Sequence, residues 1–234
     1  MRQISNAAAA LAVIAALASC SNNDPAASGP AGNAETPTTD APAPAPEYQI
    51  ITADSRPIEA GTWALHADGG RDAPLAVFEV PDGFHGGGPF LWTNRAVIGY
   101  WTVAGVHDNP CKPSGRPRSA GVAVDDLTAA LAAQQLTTTS KPVPVSIDGH
   151  DGVYVELSPP ADFPFDNCVE DMLHIWETSA GGVRSIGEPM VDRYWILDVD
   201  GQRVVLHVGA PAEVTGDNIR LFSGMVEGAS FVED

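Results

Sequence analysis

The sequence predicts an α+β fold, a mainly antiparallel sheet with two packed helices. Three observations carry that expectation. Eight apolar segments between Thr62 and Val208 are short and often alternate with polar residues, the period of a half-buried strand. Two other segments space their apolar residues by three and four, the period of a helix face. Asp200-Gly201 lies between two runs of strand formers as a two-residue type I′ turn, a connection that joins antiparallel neighbours.

In chain order the expected strands are 62–65, 75–80, 96–103, 143–147, 153–157, 173–176, 195–199 and 204–208. The first helix is expected over Asp126 to Gln135, with Asp125 as its N-cap and Leu127, Ala130 and Leu131 on its apolar face. Ile219, Phe222, Met225 and Val226 mark the second. The Asp-Gly turn also sets a register. Leu197 then faces Val204 and Trp195 faces Leu206 on the surface expected to be core, while Tyr194 faces His207 and Asp198 faces Arg203, as an ion pair, on the other. No longer period repeats, which argues against solenoids and propellers.

Residues 1–19 read as a signal peptide: Arg2 and the amino terminus, an apolar run from Ala7 to Leu17, then small residues. The run reaches roughly 16 Å as a helix and a bilayer core needs about 30 Å, so it is too short for a lasting span. Leu17-Ala18-Ser19-Cys20 resembles the bacterial lipobox, in which the cysteine thiol takes a diacylglyceryl group and becomes the new amino terminus. Ala16-Leu17-Ala18 also fits ordinary secretory cleavage, which would leave Cys20 as a free thiol. Three cysteines divide as one lipidated residue and two others, which favours the lipoprotein. Residues 20–47 then form the lipidated cysteine and a disordered Pro/Ala-rich tether, since Ser21 to Glu47 holds no aromatic or large aliphatic side chain to offset the entropy of ordering. Residues 48–234 remain as a single folded extracytoplasmic domain. The expected location is the outer face of the cell membrane, held by acyl chains on Cys20.

A formal net charge of −18 argues against nucleic acid as a partner, because like charges repel. The motifs that bear on chemistry are few. His85-Gly86-Gly87-Gly88 resembles the oxyanion loop of lipases, but no serine is flanked by glycine on both sides, so the segment reads as a Gly-rich loop with an exposed histidine. His107-Asp108 and His150-Asp151 pair an imidazole with a carboxylate, yet lack the spacing of a metal site, and no metal or other cofactor is expected. Asp198-Val199-Asp200-Gly201 opens like a calcium loop without its closing ligands. Tyr100-Trp101 and Tyr194-Trp195 put adjacent rings on opposite faces of their strands, so one ring of each pair is core and the other is either covered by a helix or loop or forms a binding surface. Lys112 to Arg118 is a local basic island in an acidic domain, read as a solvated loop or a docking point for a partner.

The order of features from Gly61 onward resembles a domain of uncharacterised actinobacterial envelope proteins. The residues that carry the resemblance are Pro81-Asp82-Gly83-Phe84, Asp108-Asn109-Pro110-Cys111, Val124-Asp125-Asp126-Leu127, Asp148 through Leu157, Cys168, and Trp195 through Gly201. The resemblance implies an exported α+β domain with Cys111 paired to Cys168, in accord with an oxidising compartment, and it carries no activity. A PsbP-like sandwich is a further fold analogy. The function expected is a membrane-anchored surface lipoprotein with a non-catalytic binding or sensing domain, its ligand a small molecule or an envelope protein. The alternative is an envelope hydrolase with an unrecognised active site, since no catalytic constellation is legible. Polar groups converging in a pocket would favour the second.

Overall fold

The computed structural model describes residues 47–70 and 72–233. The expected signal peptide, Cys20 and the tether up to Pro46 lie outside the described residues. The chain first lays down β1 (Gln49–Ile50), β2 (Arg56–Pro57), β3 (Gly61–Leu65), β4 (Leu75–Val80), β5 (His85–Gly87), β6 (Phe90–Trp92), β7 (Val97–Trp101), β8 (Val103–Val106) and β9 (Arg118–Ser119). Helix α1 (Val124–Ala132) follows, then β10 (Thr138–Thr139), β11 (Val143–Ile147), β12 (His150–Ser158), β13 (Leu173–Thr178), β14 (Val183–Ile186), β15 (Met190–Val199) and β16 (Gln202–Pro211). Helix α2 (Asp217–Glu227) and β17 (Ser230–Val232) end the described chain.

The strands form three sheets. A nine-stranded sheet runs β10-β12-β15-β16-β7-β6-β5-β2, with β11 on the same edge of β12 as β10. The smaller sheets are β1-β3-β4-β17 and β14-β13-β8-β9. Every strand pair except β1–β3 is antiparallel. The α+β class, the mostly antiparallel sheet, the two helices and the single disulfide are as the sequence predicts.

The hairpin register is borne out residue for residue: Leu197 faces Val204, Trp195 faces Leu206, Tyr194 faces His207 and Asp198 faces Arg203. Asp200 and Gly201 both take positive φ, 52° and 84°, as a type I′ turn demands. A second such turn, Asp148-Gly149 at 52° and 81°, joins β11 to β12. The expected Asp198–Arg203 ion pair does not form. Asp198 instead accepts a hydrogen bond from the Gly201 amide at 2.7 Å, and Arg203 donates to the carbonyls of Ala120, Gly121, Ala123 and Val103.

The large sheet is covered on both faces, so the second ring of each pair is covered rather than open. Trp195, Leu197, Val204, Leu206 and Tyr100 pack with Trp63, Phe78 and the α2 residues Phe222, Met225 and Val226. On the opposite face Tyr194, Ile196, Val205 and Trp101 pack with Leu127 and Leu131 of α1 and with Ile175 and Trp176 of β13. All four rings of Tyr100-Trp101 and Tyr194-Trp195 are therefore buried.

Boundaries differ from the sequence reading at several elements, with helix α1 ending at Ala132 rather than Gln135, and three of the differences have a clear local cause. Helix α1 starts two residues early, with Ala123 rather than Asp125 at its N-cap position, because the Asp126 carboxylate reaches back to the amides of Val122 and Ala123 at 3.2 and 3.1 Å. The 96–103 run is two strands in two sheets, broken at Thr102, whose amide and hydroxyl both donate to the Asp68 carbonyl. The segment His85-Gly86-Gly87 is a strand rather than a loop. A Cβ on Gly86 would lie 2.5 Å from Cδ1 of Ile51, so a larger residue there would displace that side chain.

Candidate functional site

Three strands of the large sheet and one of a small sheet place polar groups together in the second core. Asp192 and Tyr194 are two residues apart on β15 and so share a face. His207 on β16 lies directly opposite Tyr194, and Gly99 on β7 lies directly opposite His207. Arg184 enters from β14, a strand of the facing sheet, where it pairs with Trp176. Gly209 stands opposite Asp192 and leaves the room the polar heads need. A Cβ there would lie 2.8 Å from Nε2 of His207 and 2.9 Å from Oδ1 of Asp192.

Asp192 is fully buried and accepts from three side chains. Arg184 donates through Nε at 2.9 Å and Nη2 at 2.5 Å, a two-point grip on the carboxylate, and its Nη1 donates to the Ser185 carbonyl at 2.8 Å. The Tyr194 hydroxyl donates at 2.7 Å, and His207 Nε2 stands 3.0 Å from Oδ1. Burial pushes the Asp192 carboxyl up, but the positive charge of Arg184 and the hydrogen bonds of Arg184 and His207 outweigh it and hold the group well below the ordinary carboxylate range. Burial raises the Tyr194 hydroxyl and lowers His207, the latter only partly offset by Asp192. An ionised Asp192 can only accept, so Nε2 of neutral His207 carries the proton and Nδ1 is left as an acceptor.

That Nδ1 has no hydrogen-bond partner, and neither does Nε1 of Trp101. Both atoms face Gly99: a Cβ built on it would lie 2.6 Å from Trp101 Nε1 and 3.1 Å from His207 Nδ1. Trp101 and His207 line a cleft of about 380 Å³ together with Phe90, Trp92, Val97, Val183, Arg184 and Ser185. The Trp101 ring makes an edge contact with Phe90 at 5.2 Å and another with Trp176 at 5.9 Å. The cleft thus has aromatic walls, one guanidinium whose charge Asp192 matches, one unpaired donor and one unpaired acceptor.

The histidine–aspartate pairs, the Gly-rich segment and the basic island singled out in the sequence lie elsewhere. His107 pairs with Glu177 at 3.0 Å, and its backbone carbonyl accepts from buried Gln134 at 2.8 Å, while Asp108 pairs with Arg118 at 2.7 Å, so this dyad and the basic island brace loops. His150 packs edge-on against Phe231, and His85 stacks on Trp92. Asp200-Gly201 is the hairpin turn. Among the described residues no three His, Cys, Asp or Glu side chains are grouped to hold a metal ion. Cys111 and Cys168 are bonded, Cα to Cα 4.5 Å, and close the β8-to-β13 excursion. Ser185 lies 3.2 Å from Nδ1 of His174, but Glu170 stands 3.9 Å from the other ring nitrogen on an exposed side chain, beyond hydrogen-bond reach, so it does not orient that imidazole.

Sequence reading missed Asp192, Arg184 and Gly99 as site residues, found Trp101 and Tyr194 as rings that could form a binding surface, and found His207 only as the residue facing Tyr194. The available signal was parity: Asp192 shares its strand face with Tyr194 and Ile196, so a carboxylate was bound for the core and needed partners. No helix among the described residues is long and apolar enough to cross a membrane. No protein-family model matches the chain, and comparison with curated proteins and with solved structures returns no match.

Proposed function

We propose that this chain is a lipid-anchored surface protein of the outer face of the cell membrane, and that its folded domain is a non-catalytic binding module whose ligand site is the cleft over Trp101 and His207. The anchoring half of the reading is supported by the lipobox-like Leu17-Ala18-Ser19-Cys20 and by a disulfide that suits an oxidising compartment. The binding half rests on one observation: two fully buried side-chain nitrogens, Trp101 Nε1 and His207 Nδ1, are left without partners beside an aromatic-walled cleft. Buried polar atoms are seldom unpaired, and an orphaned pair beside a cleft is what a binding site holds ready for a polar ligand group.

Polar groups do converge here, the feature that would favour a hydrolase. Their pairing speaks against that use. Asp192 is held by three donors, and among the described residues no hydroxyl or thiol stands as a hydrogen-bond partner of His207 Nδ1, so the dyad has no nucleophile to activate.

The test is photocrosslinking in the native envelope. A photoreactive residue at Val183, which is 40% exposed at the cleft, is expected to capture an adduct that the same residue at Val143 on the edge of β11 does not. Identical adducts from both positions, or none from Val183, would overturn the reading.

A further inference from the structure

A second cavity, of about 570 Å³, shares no lining residue with the cleft over Trp101 and His207. Its walls come from the strap of residues 66–70 after β3, from the turn between β13 and β14, and from Ile51 and Pro89. Asp68 pins the strap to the end of β7: its amide donates to the Tyr100 carbonyl and its carbonyl accepts from the Thr102 amide, both at 2.9 Å. The turn is tied to the strap by the Ser179 hydroxyl, which donates to the Gly69 carbonyl at 2.5 Å. The walls are therefore set in place by the fold itself.

The Asp68 side chain is half-buried at this cavity and has no counter-charge among the described residues. Thr178 Oγ1 stands 3.5 Å from Oδ1, at the limit of a hydrogen bond, and Oδ2 accepts from no described residue. The bare Gly182 backbone backs Oδ2 on one side, where a Cβ would lie 2.0 Å away; Oδ2 is nonetheless not one of the covered, unpartnered side-chain atoms, so its other side is open. Burial pushes the Asp68 carboxyl up, and the Thr178 hydroxyl offsets only part of this. None of the described lining residues is a lysine or arginine, and His66 is the one other ionisable residue among them. Ile51, Ala67, Pro89 and Ala180 give the cavity apolar walls.

A carboxylate so poorly paired gains most from a cation that also donates N–H bonds. An anion is repelled by Asp68 and by the net charge of −18, which draws cations in instead. A metal ion needs more ligands than one carboxylate, and among the described residues no three His, Cys, Asp or Glu side chains are grouped to supply them. We propose that this cavity is a binding site, separate from the cleft, for a primary ammonium group on a short apolar stem, with the ammonium at the Asp68 carboxylate and the stem against the apolar walls. A free amine and a lysine side chain carry the same head.

The experiment is calorimetric titration of the folded chain at constant ionic strength with butylamine and with Nα-acetyl-lysine methylamide, the same head as a protein offers it; the tighter binder of the two identifies the source. Butanol and butyrate serve as the stem with no charge and with the opposite one. At least one amine is expected to bind saturably and neither control to do so. Asp68→Asn, which keeps the shape and removes the charge, is expected to weaken amine binding about tenfold. Ala53→Trp, at an exposed lining residue, keeps the carboxylate and fills the cavity, so it should weaken binding too, and it decides the matter if Asp68→Asn fails to fold. Arg71 is the nearest basic residue in sequence and lies outside the described residues, and Arg71→Ala is expected to bind the amine as the wild type does. No binding of either amine, equal binding of butanol or butyrate, or amine binding indifferent to both Asp68→Asn and Ala53→Trp would overturn the proposal. So would amine binding confined to Arg71→Ala, since the carboxylate then serves the chain's own cation.

Discussion

Nε2 of His207 stands 3.0 Å from Oδ1 of Asp192, with both side chains shut off from solvent. A carboxylate in that position is tolerable only because Arg184 and Tyr194 hold its other lone pairs, and the cluster ties the small β14-β13-β8-β9 sheet to the large one. Its members then become each other's liabilities when one is removed.

Asp192→Asn should leave Arg184, only 12% exposed, as a buried charge without a counterion, and should destabilise the domain by about 3–5 kcal/mol. Adding Arg184→Met to that variant should recover much of the loss, because no unpaired charge remains. Urea unfolding of the wild type, the single and the double variant measures both steps. A double variant no more stable than the single one would show that the pair is not an electrostatic unit.

The same geometry sets a pH dependence. Burial lowers the folded pKa of His207 below its ordinary 6.5, so the unfolded chain binds a proton first as the medium is acidified. The stabilisation is complete above about pH 6.5 and declines as pH falls below it. His207→Gln should remove this component. The gap in melting temperature between wild type and variant should therefore narrow from pH 7 to pH 5; a constant gap would contradict the assignment of a neutral buried imidazole.

The Cys111–Cys168 bridge closes a loop of 57 residues, for which chain entropy gives about 4 kcal/mol. Reductant should lower the melting temperature of the folded domain, and Cys111→Ala with Cys168→Ala should lower it equally without further sensitivity to reductant. A melting temperature that ignores reductant would refute the contribution.

How much of this was legible in the sequence depended on distance along the chain. The β15–β16 register was readable because a two-residue Asp-Gly turn leaves the strands one way to pair, and the β11–β12 hairpin carries the same signal at Asp148-Gly149. The helix α1 boundary slipped because two adjacent aspartates compete for the capping role, and the backbone amides chose Asp126. Strands of two or three residues such as β2, β5 and β9 hold too little pattern to show a period. The site was hidden for a different reason. Gly99 reaches His207 only through the long-range pairing of β7 with β16, Arg184 reaches Asp192 only when two sheets stack, and Asp198–Arg203 failed as a pair because loop carbonyls from Ala120 to Ala123 reached Arg203 first.

Cys20→Ser should abolish labelling by fatty acid and release the chain from membranes, or stall it before processing, if Leu17-Ala18-Ser19-Cys20 acts as a lipobox. Metabolic labelling followed by membrane fractionation reads both. Labelling that persists in the variant would assign the acyl chain elsewhere and remove the anchor from this account.

The most direct measurement of the cleft is the side-chain N–H resonance of Trp101. Trp63 provides an internal control, since its Nε1 already donates to the Glu59 carbonyl at 2.9 Å, whereas Trp101 Nε1 donates to nothing. When a small-molecule extract of the native envelope is added to the folded chain, the Trp101 N–H should move toward the position of a hydrogen-bonded indole while that of Trp63 stays. A Trp101 resonance that does not move, or one that moves only together with Trp63, would contradict the assignment of the cleft over Trp101 and His207 as the ligand site.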